Sequence, residues 1–100
     1  MSTSKEMNLN NVIQAIKAVG EETRLRILSL LMHSELNVQD ISTILGQSQP
    51  RISRHLKLLD ESGLIERIRE GNWVYCKLNH DSDLIKLIDF VNTNDFDKDV

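Results

Sequence analysis

Four glycines punctuate this chain, and each falls at a break in an apolar pattern. Gly20, Gly46 and Gly63 separate segments whose apolar residues recur at helical spacing. Gly71 sits with Asn72 between two runs of strand-forming residues. This punctuation predicts four helices, a β-hairpin and a fifth helix. The first helix should cover about Leu9 to Val19, with Leu9, Val12, Ile13, Ile16 and Val19 at helical spacing. The second should run from about Glu22 to His33. Its apolar residues Leu25, Ile27, Leu28, Leu30, Leu31 and Met32 cover nearly the whole circumference, as in a central core helix. Glu21 and Glu22 at its start and His33 at its end suit the helix dipole.

Asn37 is the expected N-cap of a short third helix, Val38 to Leu45, with Asp40 approximating a capping box. Val38, Ile41, Ile44 and Leu45 are expected to face inward. Ser48 should cap a fourth helix that runs to about Ser62, with Pro50 tolerated in its first turn. Gly63 then takes the left-handed C′ position, and Leu59 and Leu64 form the hydrophobic pair of a Schellman ending. Leu64 to Glu70 and Trp73 to Leu78 form the hairpin, with Ile68, Val74, Cys76 and Leu78 inward. Arg67, Arg69, Trp73, Tyr75 and Lys77 are then outward. The last helix covers about Ser82 to Val91. The expected fold is mainly α with a small β-hairpin (α+β), in the order α-α-α-α-β-β-α. Residues 1–7 are expected to be disordered, 8–92 to form one domain and 93–100 to be an acidic tail.

Composition narrows the function classes. A chain of 100 residues holds one small domain. It has no apolar run near the roughly 18 residues of a membrane span, and no apolar leader core follows its first residues. The single cysteine, Cys76, can form neither an internal disulfide nor a thiolate cluster. These features point to a cytoplasmic setting, with no membrane partner and no cofactor. The net charge of −3 argues mildly against a polyanionic partner. However, residues 81–100 hold six of the 15 acids and two of the 12 bases, so they carry −4 and residues 1–80 carry +1.

Two short helices joined across Leu45-Gly46-Gln47-Ser48, followed by a hairpin, make a winged helix-turn-helix. On the fourth helix, Ile52, Leu56 and Leu59 share one side at about 100° per residue. Ser53, Arg54 and Lys57 lie on the other, flanked by Gln49 and Arg51, with no acid before Asp60. Arginine can read guanine, glutamine can read adenine and serine can contact bases or phosphate. Ser48 at the helix N-terminus suits a phosphate oxygen. Arg67, Arg69 and the thin Gly71-Asn72 tip would anchor phosphates beside it. His55 lies beside the reading face and partly toward the core, and it is counted with Gln49, Arg51, Ser53, Arg54 and Lys57 among the residues expected to contact DNA. The partner implied is double-stranded DNA. Two other readings stay open. One is a solvated polar face on an ordinary helix. The other is a protein-interaction module without DNA binding, anchored by Trp73 and Tyr75.

At three segments the chain resembles the ArsR/SmtB family of winged-helix repressors. These are Gly20 to Leu28 (GEETRLRIL), Gln49 to Leu59 (QPRISRHLKLL) and Ser62 to Ile65 (SGLI), with Gly71 and Tyr75 matching the wing pattern. The resemblance implies a homodimeric, dissociable transcriptional repressor whose first and last helices form the dimer interface. Leu9, Val12, Ile13, Ile16, Leu84, Leu87, Ile88 and Val91 are the residues expected there. A two-fold dimer would set two reading helices about 34 Å apart on an inverted repeat.

Many members of that family sense metals through two thiols, which fall here on Asn37 and Gln39. Neither can supply a thiolate, so no metal residue is assigned. A metal-responsive repressor using His80 with Asp81, Asp83 and Asp89 remains the alternative. Against it, zinc in such sites wants at least two nitrogen or sulfur donors, and Asp81 serves better as a helix cap. Cys76 on the inner strand face is expected to be a small buried apolar residue. The effector is unknown. No nucleophile-base spacing or phosphate-cradling loop points to an enzyme.

Overall fold

The architecture rests on a computed structural model that describes residues 8–93, with side chains through Phe90. Asn8 starts α1 (Leu9–Val19), its side chain accepting from the Asn11 N–H at 2.8 Å. The small residues Ala15 and Ala18 are the ones that pack on the core. Leu9 and Ile16 stay 72% and 54% exposed, and Ile13 is exposed with them. Helix α2 (Glu22–Leu31) begins on the Glu21 side chain, which accepts from the Arg24 N–H at 2.9 Å. It ends before His33, which is exposed beyond it. Ile27, Leu28 and Leu31 are buried, but Leu25 is exposed, so the helix is not enclosed all round.

A two-residue strand, β1 (Leu36–Asn37), precedes α3 (Val38–Leu45) and was not expected. The Asn37 side chain caps α3 by accepting from the Asp40 N–H at 2.7 Å. Ile41 is fully buried, whereas Ile44 is exposed rather than inward. Gly46 closes α3 in the left-handed region, at φ 68°. Behind it the Gln47 N–H donates to the Ser42 carbonyl, and the Ser42 hydroxyl donates to the Gln47 carbonyl.

Helix α4 (Gln49–Glu61) is capped by Ser48, with Pro50 in the first turn. Its end is the Schellman motif read from the sequence. Gly63 N–H donates to the Asp60 carbonyl and Leu64 N–H to the Leu59 carbonyl, both at 3.0 Å. Leu59 and Leu64 are fully buried.

Strands β2 (Ile65–Glu70) and β3 (Trp73–Leu78) form the wing, and the antiparallel sheet runs β1-β3-β2. A positive φ at Gly71 alone fits the tight turn that wants glycine first. The register corrects the expected faces. Ile65 pairs with Leu78, Arg67 with Cys76 and Arg69 with Val74. Directly opposed residues share a face, so the arginines stand on the side that enters the core at Ile65, Cys76 and Leu78. Ile68 pairs with Tyr75 on the opposite face, together with Glu66, Glu70, Trp73 and Lys77. The strand is anchored by Ile65, which is buried, while Ile68 is exposed. Choosing Ile68 as the inward residue shifts every side chain of β2 to the wrong side.

Helix α5 (Asp83–Thr93) is capped by Ser82, whose hydroxyl oxygen accepts from the Ile85 N–H at 3.2 Å. Asp81 does not serve as that cap, and its own N–H donates to Asn79 Oδ1. Ile85 is buried, with Leu84 and Ile88 packed against the core. The segments expected to be a disordered start and an acidic tail lie outside the described residues, apart from Thr93.

Candidate nucleic-acid interface

Helix α4 packs on α1, α2, α3 and β2. Ile52, Leu56 and Leu59 have no exposed surface, which decides which face of the helix turns inward. The opposite face then has to be solvent-exposed. Gln49, Arg51, Ser53, Arg54 and Lys57 are all exposed there. None of Arg51, Arg54 and Lys57 takes part in an ion pair among the described residues. In the first turn the Arg51 N–H donates to Ser48 Oγ at 3.3 Å, the Ile52 N–H donates to the Ser48 carbonyl at 3.0 Å, and Pro50 has no N–H. Ser48 is therefore exposed but already occupied as a cap. Gln47 Nε2 donates to Thr23 Oγ1 at 3.2 Å and ties the turn before α4 to α2.

The wing is a different kind of surface. Arg67 Nε donates to Asp60 Oδ2 at 2.9 Å, so this cation is held by the last turn of α4. Lys77 Nζ lies 3.7 Å from Glu66 Oε1 on the far face. Arg69 is exposed and has no ion pair among the described residues. Gly71 and Asn72 form the exposed tip. The two wing arginines share the face that leads to α4, and the wing acids Glu66 and Glu70 lie on the other. Trp73, 48% exposed, also stands on that other face with Ile68 and the half-buried Tyr75.

His55 is not grouped with the reading face. It is half-buried against α2, with Nδ1 3.2 Å from Arg24 Nη1 and 3.9 Å from Glu21 Oε1. Burial pushes its pKa below 6.5. Glu21 opposes this, and Arg24, Arg51 and Arg54 add to it. Arg24 and Glu21 were missed as part of this region. The only trace in the sequence was the pair Glu21 and Arg24 three residues apart at a helix start.

Cys76 is buried, and burial pushes its thiol up to about 11. It lacks the lowered pKa of a reactive thiolate. No group of three or more histidine, cysteine, aspartate or glutamate residues able to hold a metal occurs among the described residues. His80, Asp81, Asp83 and Asp89 are each exposed. Asn37, at one of the two positions aligned with family thiols, is spent on capping α3.

Residues 21–67 match the family model described as "Bacterial regulatory protein, arsR family". The transcriptional repressor SdpR of Bacillus subtilis is 35% identical over 92 residues, which cover 89% of this chain and 99% of the relative. The chain belongs to the ArsR family. An arsenical resistance operon repressor of Escherichia coli is 52% identical to this ArsR-family chain over 68 residues. The matched segment is 67% of the chain and 58% of that relative, so the chain spans little more than half of it. Among solved structures, a homodimeric winged helix-turn-helix DNA-binding domain from Mycobacterium bovis superposes with a TM-score of 0.76. That domain is 32% identical, with 93% of this chain and 88% of its own length covered. The winged helix-turn-helix of this ArsR-family chain is thus shared with solved relatives.

Proposed function

We propose that this chain is a homodimeric, sequence-specific transcriptional repressor that places α4 in the major groove of an inverted-repeat operator. The observation that carries the reading is the exposed, acid-free face of α4 set opposite a face with no exposure at all. Gln49, Arg51, Ser53 and Arg54 read base edges. Ser48, Lys57, Arg67, Arg69, Gly71 and Asn72 lie at the flanking phosphates. His55 stands behind this surface rather than on it. Relatives named as transcriptional repressors and as a DNA-binding domain support the same partner.

Dimerisation is supported by apolar residues that the fold leaves exposed at both ends of the chain. Leu9, Ile13 and Ile16 on α1 and Leu87 on α5, the last 56% exposed, are too apolar for an ordinary helix surface. Val12, Leu84 and Ile88 flank them, half-buried. The side chain of Val91, expected in the same interface, lies outside the described residues. The solved homodimeric relative supports a two-fold partner. No helix among the described residues is long and apolar enough to cross a membrane, and the protein acts in the cytoplasm. Its effector is not a thiolate-bound metal.

Selection of bound DNA from a random duplex library tests this reading. The expected result is an enriched inverted repeat with half-sites about one helical turn apart. A folded dimer that enriches no motif would instead favour a protein-interaction module using the Trp73 face.

A further inference from the structure

One side chain on α2 bonds to two other helices, α1 and α4, behind the reading face. Arg24 is rooted on α2, where its own N–H is held by Glu21. Its guanidinium reaches back to the end of α1. There Nε donates to the Ala18 carbonyl at 2.6 Å, and Nη2 reaches the Lys17 carbonyl at 3.5 Å. The Lys17 carbonyl also accepts from the Gly20 N–H at 3.2 Å, and a cation at the end of a helix complements the dipole. In the other direction, Arg24 Nη1 meets His55 Nδ1 at 3.2 Å. A guanidinium has only donors, so Nδ1 is the acceptor and the imidazole is neutral, with its proton on Nε2. His55 is next in the chain to Arg54 and one turn from Arg51. A rotation of α4 that broke this bond would move both arginines.

We infer that Arg24 and His55 are positioning residues that set the rotation of α4 against α1, so that the reading face and the first helix are fixed together. The inference rests on the proposal that α4 reads DNA. It also reverses the expectation that His55 itself serves the DNA. The charged groups that bear on the ring are Glu21 and Arg24 from α2, and Arg51 and Arg54 from α4. Its side chain is only 17% exposed. Protonation puts a hydrogen on Nδ1, which can then no longer accept from Arg24. The nearest acceptor is Glu21 Oε1, 3.9 Å away. Acid therefore hands His55 from Arg24 to Glu21, and the link to α1 is cut while the one to α2 persists.

The test uses the full chain and the duplex that wild type selects from a random library, with a random duplex of the same length as reference. Affinities are measured from near pH 7.5 downward, through the ordinary imidazole value of about 6.5 to the acid limit at which the wild-type fold still melts cooperatively, because burial places the His55 transition on the acid side of that value. His55→Gln keeps an acceptor for Arg24 but cannot titrate, and His55→Leu removes the acceptor. Arg24→Gln removes the guanidinium, and thermal melts confirm that each variant is folded. Wild type should lose roughly tenfold of its selected-over-random ratio on acidification, as expected for one charge-assisted hydrogen bond. His55→Gln should match wild type at the higher pH and be flat across the range. His55→Leu and Arg24→Gln should start about tenfold down. If Arg24→Gln does not fold, the two His55 variants decide the matter. Acid-tightened binding to both duplexes would mark His55 as a DNA contact and overturn the inference, as would a folded His55→Leu with the wild-type ratio. A wild type that selects no motif would overturn the DNA reading itself, and the inference with it.

Discussion

Helix α4 and the wing lie side by side and both look basic in the sequence, yet their cations are in different states. On α4, Arg51, Arg54 and Lys57 are exposed and unpaired among the described residues. On the wing, Arg67 is bonded to Asp60 and Lys77 lies beside Glu66. Of the wing cations, Arg69 alone has no ion pair among the described residues. A count of charges treats these two surfaces alike. The register separates them, because it decides which acid each cation meets. The wing is held to α4 by one of its arginines, and α4 presents its own cations outward.

The largest effect should come from the buried side of α4, on which the exposed side depends. Ile52→Ala removes a fully buried side chain and should cost about 2–5 kcal/mol in urea denaturation. A cost below about 0.5 kcal/mol would mean that the helix is not fixed there. Arg54→Ala should leave stability nearly unchanged and weaken operator binding by about 1–3 kcal/mol, with relaxed preference at one base pair. Equal losses on every sequence would make Arg54 a phosphate anchor instead.

The wing pair sharpens the contrast. Arg69→Ala should make the log–log salt dependence of binding shallower by about one per subunit. Arg67→Ala should change it less, and should instead cost about 0.2–1 kcal/mol of stability, as for an exposed ion pair. Reversed roles for the two arginines in salt titrations would refute the division drawn between them.

Stability should also respond to acid in two steps. His55 has a depressed pKa in the fold, so its contribution is full above 6.5 and is lost as pH falls below that value. Glu21 is lowered chiefly by the hydrogen bond it accepts from the Arg24 N–H. Its contribution holds above 4.5 and fades as pH drops beneath it. Melting temperature against pH checks both steps, and His55→Gln should remove the first only. The smallest effect concerns Cys76. With its thiol at about 11, it should alkylate slowly at neutral pH until the chain unfolds.

Much of this was legible in the sequence because several features coincided at one place. Gly63, Leu59 and Leu64 named the end of α4, and the hydrogen bonds there are those of the motif. Asn37 and Ser48 were legible as caps for the same reason. What failed was decided by neighbours in space. Strand β1 is two residues long, too short to show a period, and exists because β3 offers it an edge. The parity of β2 turned on whether Ile65 or Ile68 met the core, and composition treats these two isoleucines alike. Ser82 rather than Asp81 caps α5, a one-residue choice between two good caps. Ala15 and Ala18 face the core because α1 lies close against it, which leaves the larger residues of that helix outside. His55 was placed between two surfaces by periodicity, and the partner that decided its role lies 31 residues away.

The central claim is that a chain of net charge −3 binds DNA through the unpaired cations of α4, with a smaller contribution from the wing. The most direct test is affinity for the selected duplex measured against salt concentration. If each dimer neutralises about 6–10 phosphates, the log–log slope should lie at roughly −5 to −9. A slope near zero would contradict the claim.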